Sequence, residues 1–108
     1  TEDGVEKDLF KTVDYLTKAC NNNHAKACYN LAIKFQNEDG VELSPLRAAQ
    51  LYEKSCDLKY PNACYNLGVM YSEGKFFAKN NEKSKELFKK ACDMKLDIAC
   101  EAYRNLNK

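Results

Sequence analysis

The sequence predicts an all-α fold: three helix pairs stacked one on the next into a solenoid. Three observations carry this reading. A 36-residue period relates the chain to itself, with ACYNL unchanged at 27–31 and 63–67. Within each period apolar residues recur at intervals of three and four, the spacing of one helix face. The apolar–polar alternation of a strand is absent throughout.

The first helix of each pair begins at a column of good N-cap residues, Asp8, Ser44 and Asn80. Pro45 follows Ser44 at the first helical position, where a missing N–H does no harm. Val5, Val41 and Phe77 stand three residues before these caps. The identical pentads EDGVE at 2–6 and 38–42 place Gly4 and Gly40 four before the cap, and glycine suits the turn after a helix C-terminus. From the caps, DLFKTVDYLTKAC, SPLRAAQLYEKSC and NNEKSKELFKKAC run to Cys20, Cys56 and Cys92. Leu9, Val13, Leu16, Ala19 and Cys20 mark the apolar face of the first of them.

The second helices read HAKACYNLAIKFQN, YPNACYNLGVMYSE and LDIACEAYRNLNK, with Pro61 at a helix start. Ala27, Cys28, Leu31 and Phe35 give the helical period, as do Ala63, Cys64, Leu67 and Tyr71. Gly40 follows Cys28 by twelve residues, whereas Gly74 follows Cys64 by ten. A loop absorbs such a shift and a helix interface does not, so the connection between pairs is expected at the surface. The units span about 4–39, 40–75 and 76–108 within a single domain over 1–108.

Hydrophobic residues at 44% and charged residues at 31% fit a folded chain rather than a disordered one. The net charge of +1 comes from 17 basic and 16 acidic residues mixed along the sequence, which lacks the basic stripe of a nucleic-acid binder. No apolar run approaches the roughly 18 residues of a membrane span, so no membrane insertion is expected. No signal peptide stands at the N-terminus, and the chain opens at Thr1 rather than Met, as expected of a segment cut from a longer product.

Six cysteines allow 15 pairings in principle. Here they fall as C-x7-C three times, each spanning a helix–turn–helix that brings its two cysteines within bridging range. The expected bridges are Cys20–Cys28, Cys56–Cys64 and Cys92–Cys100. Closing a loop of this size stabilises by about 2–3 kcal/mol per bridge. Zinc sites need cysteines two to four apart, and the chain has one histidine, so no metal and no other cofactor is expected. That histidine, His24, is expected as a solvated turn residue and not as a catalytic base. Structural disulfides place the protein in an oxidising compartment, secreted or periplasmic.

The pattern C-Y-N-L-G-V-M-Y-x-x-G, then a cap, a basic residue, a small residue and an aromatic before K-A-C, resembles Sel1-like repeats. Leu67, Gly68, Met70, Tyr71, Gly74, Lys83, Phe88, Ala91 and Cys92 carry it, with their counterparts one repeat earlier. The C-x7-C per repeat is similar to the Helicobacter cysteine-rich protein family. Ser44 and Asn80 depart from the usual aspartate cap, Phe76 and Phe77 replace a common Gly-Val, and EAYRNLNK loses the Tyr-Asn-Leu pattern. The resemblance implies a right-handed α/α superhelix of the tetratricopeptide kind that binds proteins or peptides. It also implies, for some members, penicillin binding or weak β-lactamase activity.

A stacked array offers a concave groove to an extended partner. On each second helix, the stripe beside the core holds Lys26, Asn30 and Lys34, then Asn62, Asn66 and Met70. Asn30, Asn66, Lys34 and Met70 are the expected groove residues. An amide both donates and accepts, and so pairs with peptide backbone of any sequence. Within ACYNL, alanine and leucine are core, cysteine is half of a staple and tyrosine packs between repeats, which leaves the asparagine for function. The expected partner is a protein or peptide, with no nucleic acid, for a monomeric chain. A chain that opens on a loop before a helix also reads as an interaction fragment of a longer array. The enzymatic alternative rests on SEGK at 72–75, which matches S-x-x-K. Gly74 interrupts it, and no S-D-N or K-T-G accompanies it.

Overall fold

The computed structural model describes residues 2–37 and 41–106, with side chains from Phe10 onward. Among these residues there are six α-helices and no strand: α1 (Glu2–Asn21), α2 (Ala25–Asn37), α3 (Pro45–Asp57), α4 (Pro61–Glu73), α5 (Asn81–Asp93) and α6 (Asp97–Leu106). Each helix packs on the next in sequence, as a solenoid does. The molecule is elongated, 50 × 26 × 19 Å. Its radius of gyration of 14.7 Å exceeds the about 13 Å of a compact domain of this length.

The caps at Ser44 and Asn80 form as their side chains require. Ser44 Oγ accepts from the Arg47 N–H at 3.2 Å, and Asn80 Oδ1 accepts from the Lys83 N–H at 3.0 Å. Pro45 and Pro61 occupy helix starts. Gly74 ends α4 in the left-handed conformation, with φ of 64°. Asp8 differs: α1 begins at Glu2 and runs through Gly4 and Asp8 without a break. Ser44 N donates to Phe35 O and Asn80 N to Tyr71 O, each at 3.0 Å, so a preceding helix pins both caps. At Asp8 no proline stops the helix, which is already formed from Glu2. Gly40 and its pentad residues Glu38 and Asp39 lie outside the described residues.

Between α1 and α2, α3 and α4, and α5 and α6 the chain turns in one way. His24, Tyr60 and Leu96 donate their N–H groups five residues back, to Ala19, Ser55 and Ala91. Asn23, Lys59 and Lys95 donate to the three cysteine carbonyls at Cys20, Cys56 and Cys92. These are Schellman turns, and their central residues adopt φ of 66°, 73° and 74°. The turn sets the Cα atoms of Cys20 and Cys28 4.6 Å apart, those of Cys56 and Cys64 4.7 Å, and those of Cys92 and Cys100 4.6 Å, and all three pairs are bridged. His24 is exposed but not idle: its Nδ1 accepts the Ala27 N–H at 3.2 Å and caps α2.

Small residues let the helices approach. Ala32 on α2 and Ala48 on α3 are both fully buried in one core cluster, and one repeat on Gly68 and Ser84 take the same columns. Ser84 Oγ donates to the Gly68 carbonyl at 2.9 Å, which satisfies a buried hydroxyl across α4 and α5. Ser55 Oγ donates likewise to the Ala25 carbonyl at 2.8 Å. One core cluster joins α2 to α6 around Tyr52, Leu67 and Leu87; another holds Leu16, Leu31 and the first bridge.

Candidate functional site

The second helices α2, α4 and α6 present one face built from repeat columns. Tyr29 and Tyr65 stand in one column, Asn30, Asn66 and Ala102 in the next, and Ile33, Val69 and Asn105 in a third. All but exposed Asn105 are half-buried. The tyrosines are held by rings at their backs. Tyr29 lies 5.0 Å from Tyr60 and 5.9 Å from Tyr52, and Tyr65 lies 5.5 Å from Phe88, between ring centroids. Between α4 and α6 this face opens into a recess of about 270 Å³ lined by Tyr65, Ile98, Glu101, Ala102 and Asn105. Ile98 is 51% exposed, a large apolar residue facing water beside the recess.

The expected groove residues divide. Asn30 and Lys34 are half-buried on α2, at the near end of the face. Asn66 is half-buried too, but it has a structural task. Its Nδ2 donates to the Tyr52 hydroxyl at 3.4 Å, and that hydroxyl donates to Gln36 Oε1 at 2.6 Å. Burial pushes the Tyr52 pKa above its ordinary 10.0; the Asn66 hydrogen bond opposes the rise and the nearby Tyr29 adds to it. Met70 does not belong to the groove. It is 2% exposed and sits in the main core, although it stands one period beyond half-buried Lys34.

The recess at Ile98 and Ala102 escaped the sequence reading, although the signal was present. The columns of Asn62 and Asn66 continue by one more period to Ile98 and Ala102. The change of residue type there hid the continuity.

SEGK does not assemble as an acyl-transfer pair. Gly74 breaks the helix between serine and lysine. Ser72 Oγ donates to the Val69 carbonyl at 3.0 Å, and Lys75 Nζ lies 5.3 Å from the Phe76 ring centroid. S-x-x-K chemistry needs the two side chains one helical turn apart and facing each other. Every cysteine is bridged, so no thiolate is left for metal or nucleophilic chemistry. Among the described residues, no histidine, cysteine and carboxylate cluster has metal-binding geometry.

A family description, Sel1 repeat, matches residues 2–24, 25–60 and 61–96. Its second and third units begin at α2 and α4, one helix out of step with the cap-to-cap units. No curated protein sequence matches the chain. Among solved structures, the chain is similar to the Helicobacter pylori cysteine rich protein B, at 33% identity and a TM-score of 0.79, over 83% of this chain and 68% of that one. A protective antigen present in uropathogenic Escherichia coli strains has 30% identity and a TM-score of 0.80, over 86% of this chain and 20% of that one. A Sel1 repeat protein from Oxalobacter formigenes, at 22% identity, shares the fold with a TM-score of 0.76, over 82% of this chain and 66% of that one.

Proposed function

Because the chain belongs to the Sel1 repeat family, whose members generally mediate protein–protein interactions, we propose that it is an exported scaffold holding an extended segment of a partner protein along α2, α4 and α6. The whole of 1–108 acts in this reading as one binding domain. The observation that carries it is the recess between α4 and α6, which continues the Asn30 and Asn66 columns and leaves Ile98 uncovered. Half-buried tyrosines give such a segment flat apolar area at little entropic cost. Asn30 supplies an amide for its backbone, and Lys34 adds a basic group at the α2 end. Three bridges, each stabilising by about 2–3 kcal/mol, suit an oxidising location outside the cytosol.

A pull-down with the oxidised protein as bait tests the reading. Ile98→Asp and Asn30→Ala are each expected to reduce capture of the partner several-fold, with the thermal melt unchanged. Equal capture by both variants and wild type removes the α2–α4–α6 face from consideration.

A further inference from the structure

A second groove lies between α1 and α3, away from the columns of the first face. Its floor is apolar, made of Leu31 and Phe35 from α2 and Leu51 from α3, under a volume of about 340 Å³. Arg47 and Lys54 stand along one wall with Gln50 between them, and Thr17 and Asn21 form the other. The Arg47 guanidinium lies 5.8 Å from the Phe35 ring centroid, so one cation is already drawn over the floor. Among the described residues, no acidic side chain lines this groove.

The next repeat supplies an internal comparison. One period on, the columns of Thr17 and Asn21 hold Glu53 and Asp57, and the column of Lys54 holds Lys90. There Lys90 Nζ pairs with Asp57 Oδ1 at 3.6 Å, across α3 and α5. Between α1 and α3 both acids are neutral residues, while the cations remain. Among the described residues neither Arg47 nor Lys54 has a carboxylate partner.

We propose that this groove docks a partner peptide in which an apolar side chain sits between two acidic residues three positions apart. Charge complementarity sets the acidic character: the missing anions of Glu53 and Asp57 type come from the ligand. Geometry sets the spacing. Arg47 and Lys54 are seven residues apart, about 10 Å along the helix, and a peptide in the polyproline II conformation covers that in about three residues, one full turn, so that both acids face the same wall. The apolar side chain between them enters over Leu31, Phe35 and Leu51. The Gln50 amide, midway, meets the peptide backbone.

The test is an NMR titration of the oxidised, isotope-labelled protein with the peptide Gly-Ser-Glu-Leu-Ala-Glu-Gly-Ser. Saturable shifts are expected at amides of 17–21 and 47–54, with little change in α4 to α6. The double variant Arg47→Gln with Lys54→Gln, melting as wild type does, is expected to bind at least about tenfold more weakly. Lys54→Glu should instead gain affinity for the matching peptide with lysines in place of both glutamates. No saturable shift up to about 1 mM, where a contact weaker than about 4 kcal/mol would fall, overturns the proposal. So does equal affinity of wild type for the glutamate and lysine peptides, or undiminished binding by the double variant. Shifts at the same amides on concentration alone would assign the groove to a second copy of the chain, and overturn it too.

Discussion

Lys59 and Lys95 occupy the left-handed centre of a Schellman turn, where a side chain costs on the order of 1 kcal/mol relative to glycine. Asn23, in the same column, tolerates that conformation better. Lys59→Gly and Lys95→Gly are therefore each expected to stabilise by about 1 kcal/mol, read from urea midpoints. Tyr52 makes a prediction about pH. Its folded pKa is raised, so the folded chain keeps a proton that the unfolded chain loses above its ordinary 10.0. The stabilisation is complete below pH 10.0 and is lost as pH rises towards the folded value. Relative to Tyr52→Phe, the wild type should lose stability above that pH at up to about 1.4 kcal/mol per unit. Parallel pH profiles for the two proteins would place the ionisation elsewhere.

Gly68 lets α4 and α5 cross closely. A Cβ built on it meets Phe88 Cε1 at 2.6 Å and Cδ1 at 2.8 Å, and Phe88 is 3% exposed with no room to retreat. Gly68→Ala is expected to destabilise by about 1–3 kcal/mol in denaturant melts. Much of the element level was legible beforehand. Proline and cap residues marked the start of α3, α5 and α4, and the 36-residue period gave the bridging turns. What escaped depended on neighbours. Asp8 has the right chemistry for a cap, but caps here are held by the carbonyl of an earlier helix. Asn66 reads in the sequence as a groove residue because its partner Tyr52 lies 14 residues away on another helix. Met70 shares a helix with Asn66 yet faces inward, a difference that sequence spacing alone does not encode.

Over the whole molecule, packing and covalent bridges divide the joints between them. α2 packs on α3, and α4 on α5, more extensively than the members of each bridged pair pack on one another. The bridges thus fall where burial contributes least, at α1/α2, α3/α4 and α5/α6. Cys56 and Cys64 close the central joint, and replacing both by alanine should cost about 2–3 kcal/mol. Hydrogen exchange should then report α2–α3 and α4–α5 opening separately, because a solenoid couples only neighbours. That rigidity serves recognition if α2, α4 and α6 act as one surface. The direct measurement is hydrogen exchange on the oxidised protein with and without its captured partner. Joint protection of 29–33, 65–69 and 98–105 is the predicted result. Protection that leaves all three segments unchanged would contradict the assignment of that face as the binding surface.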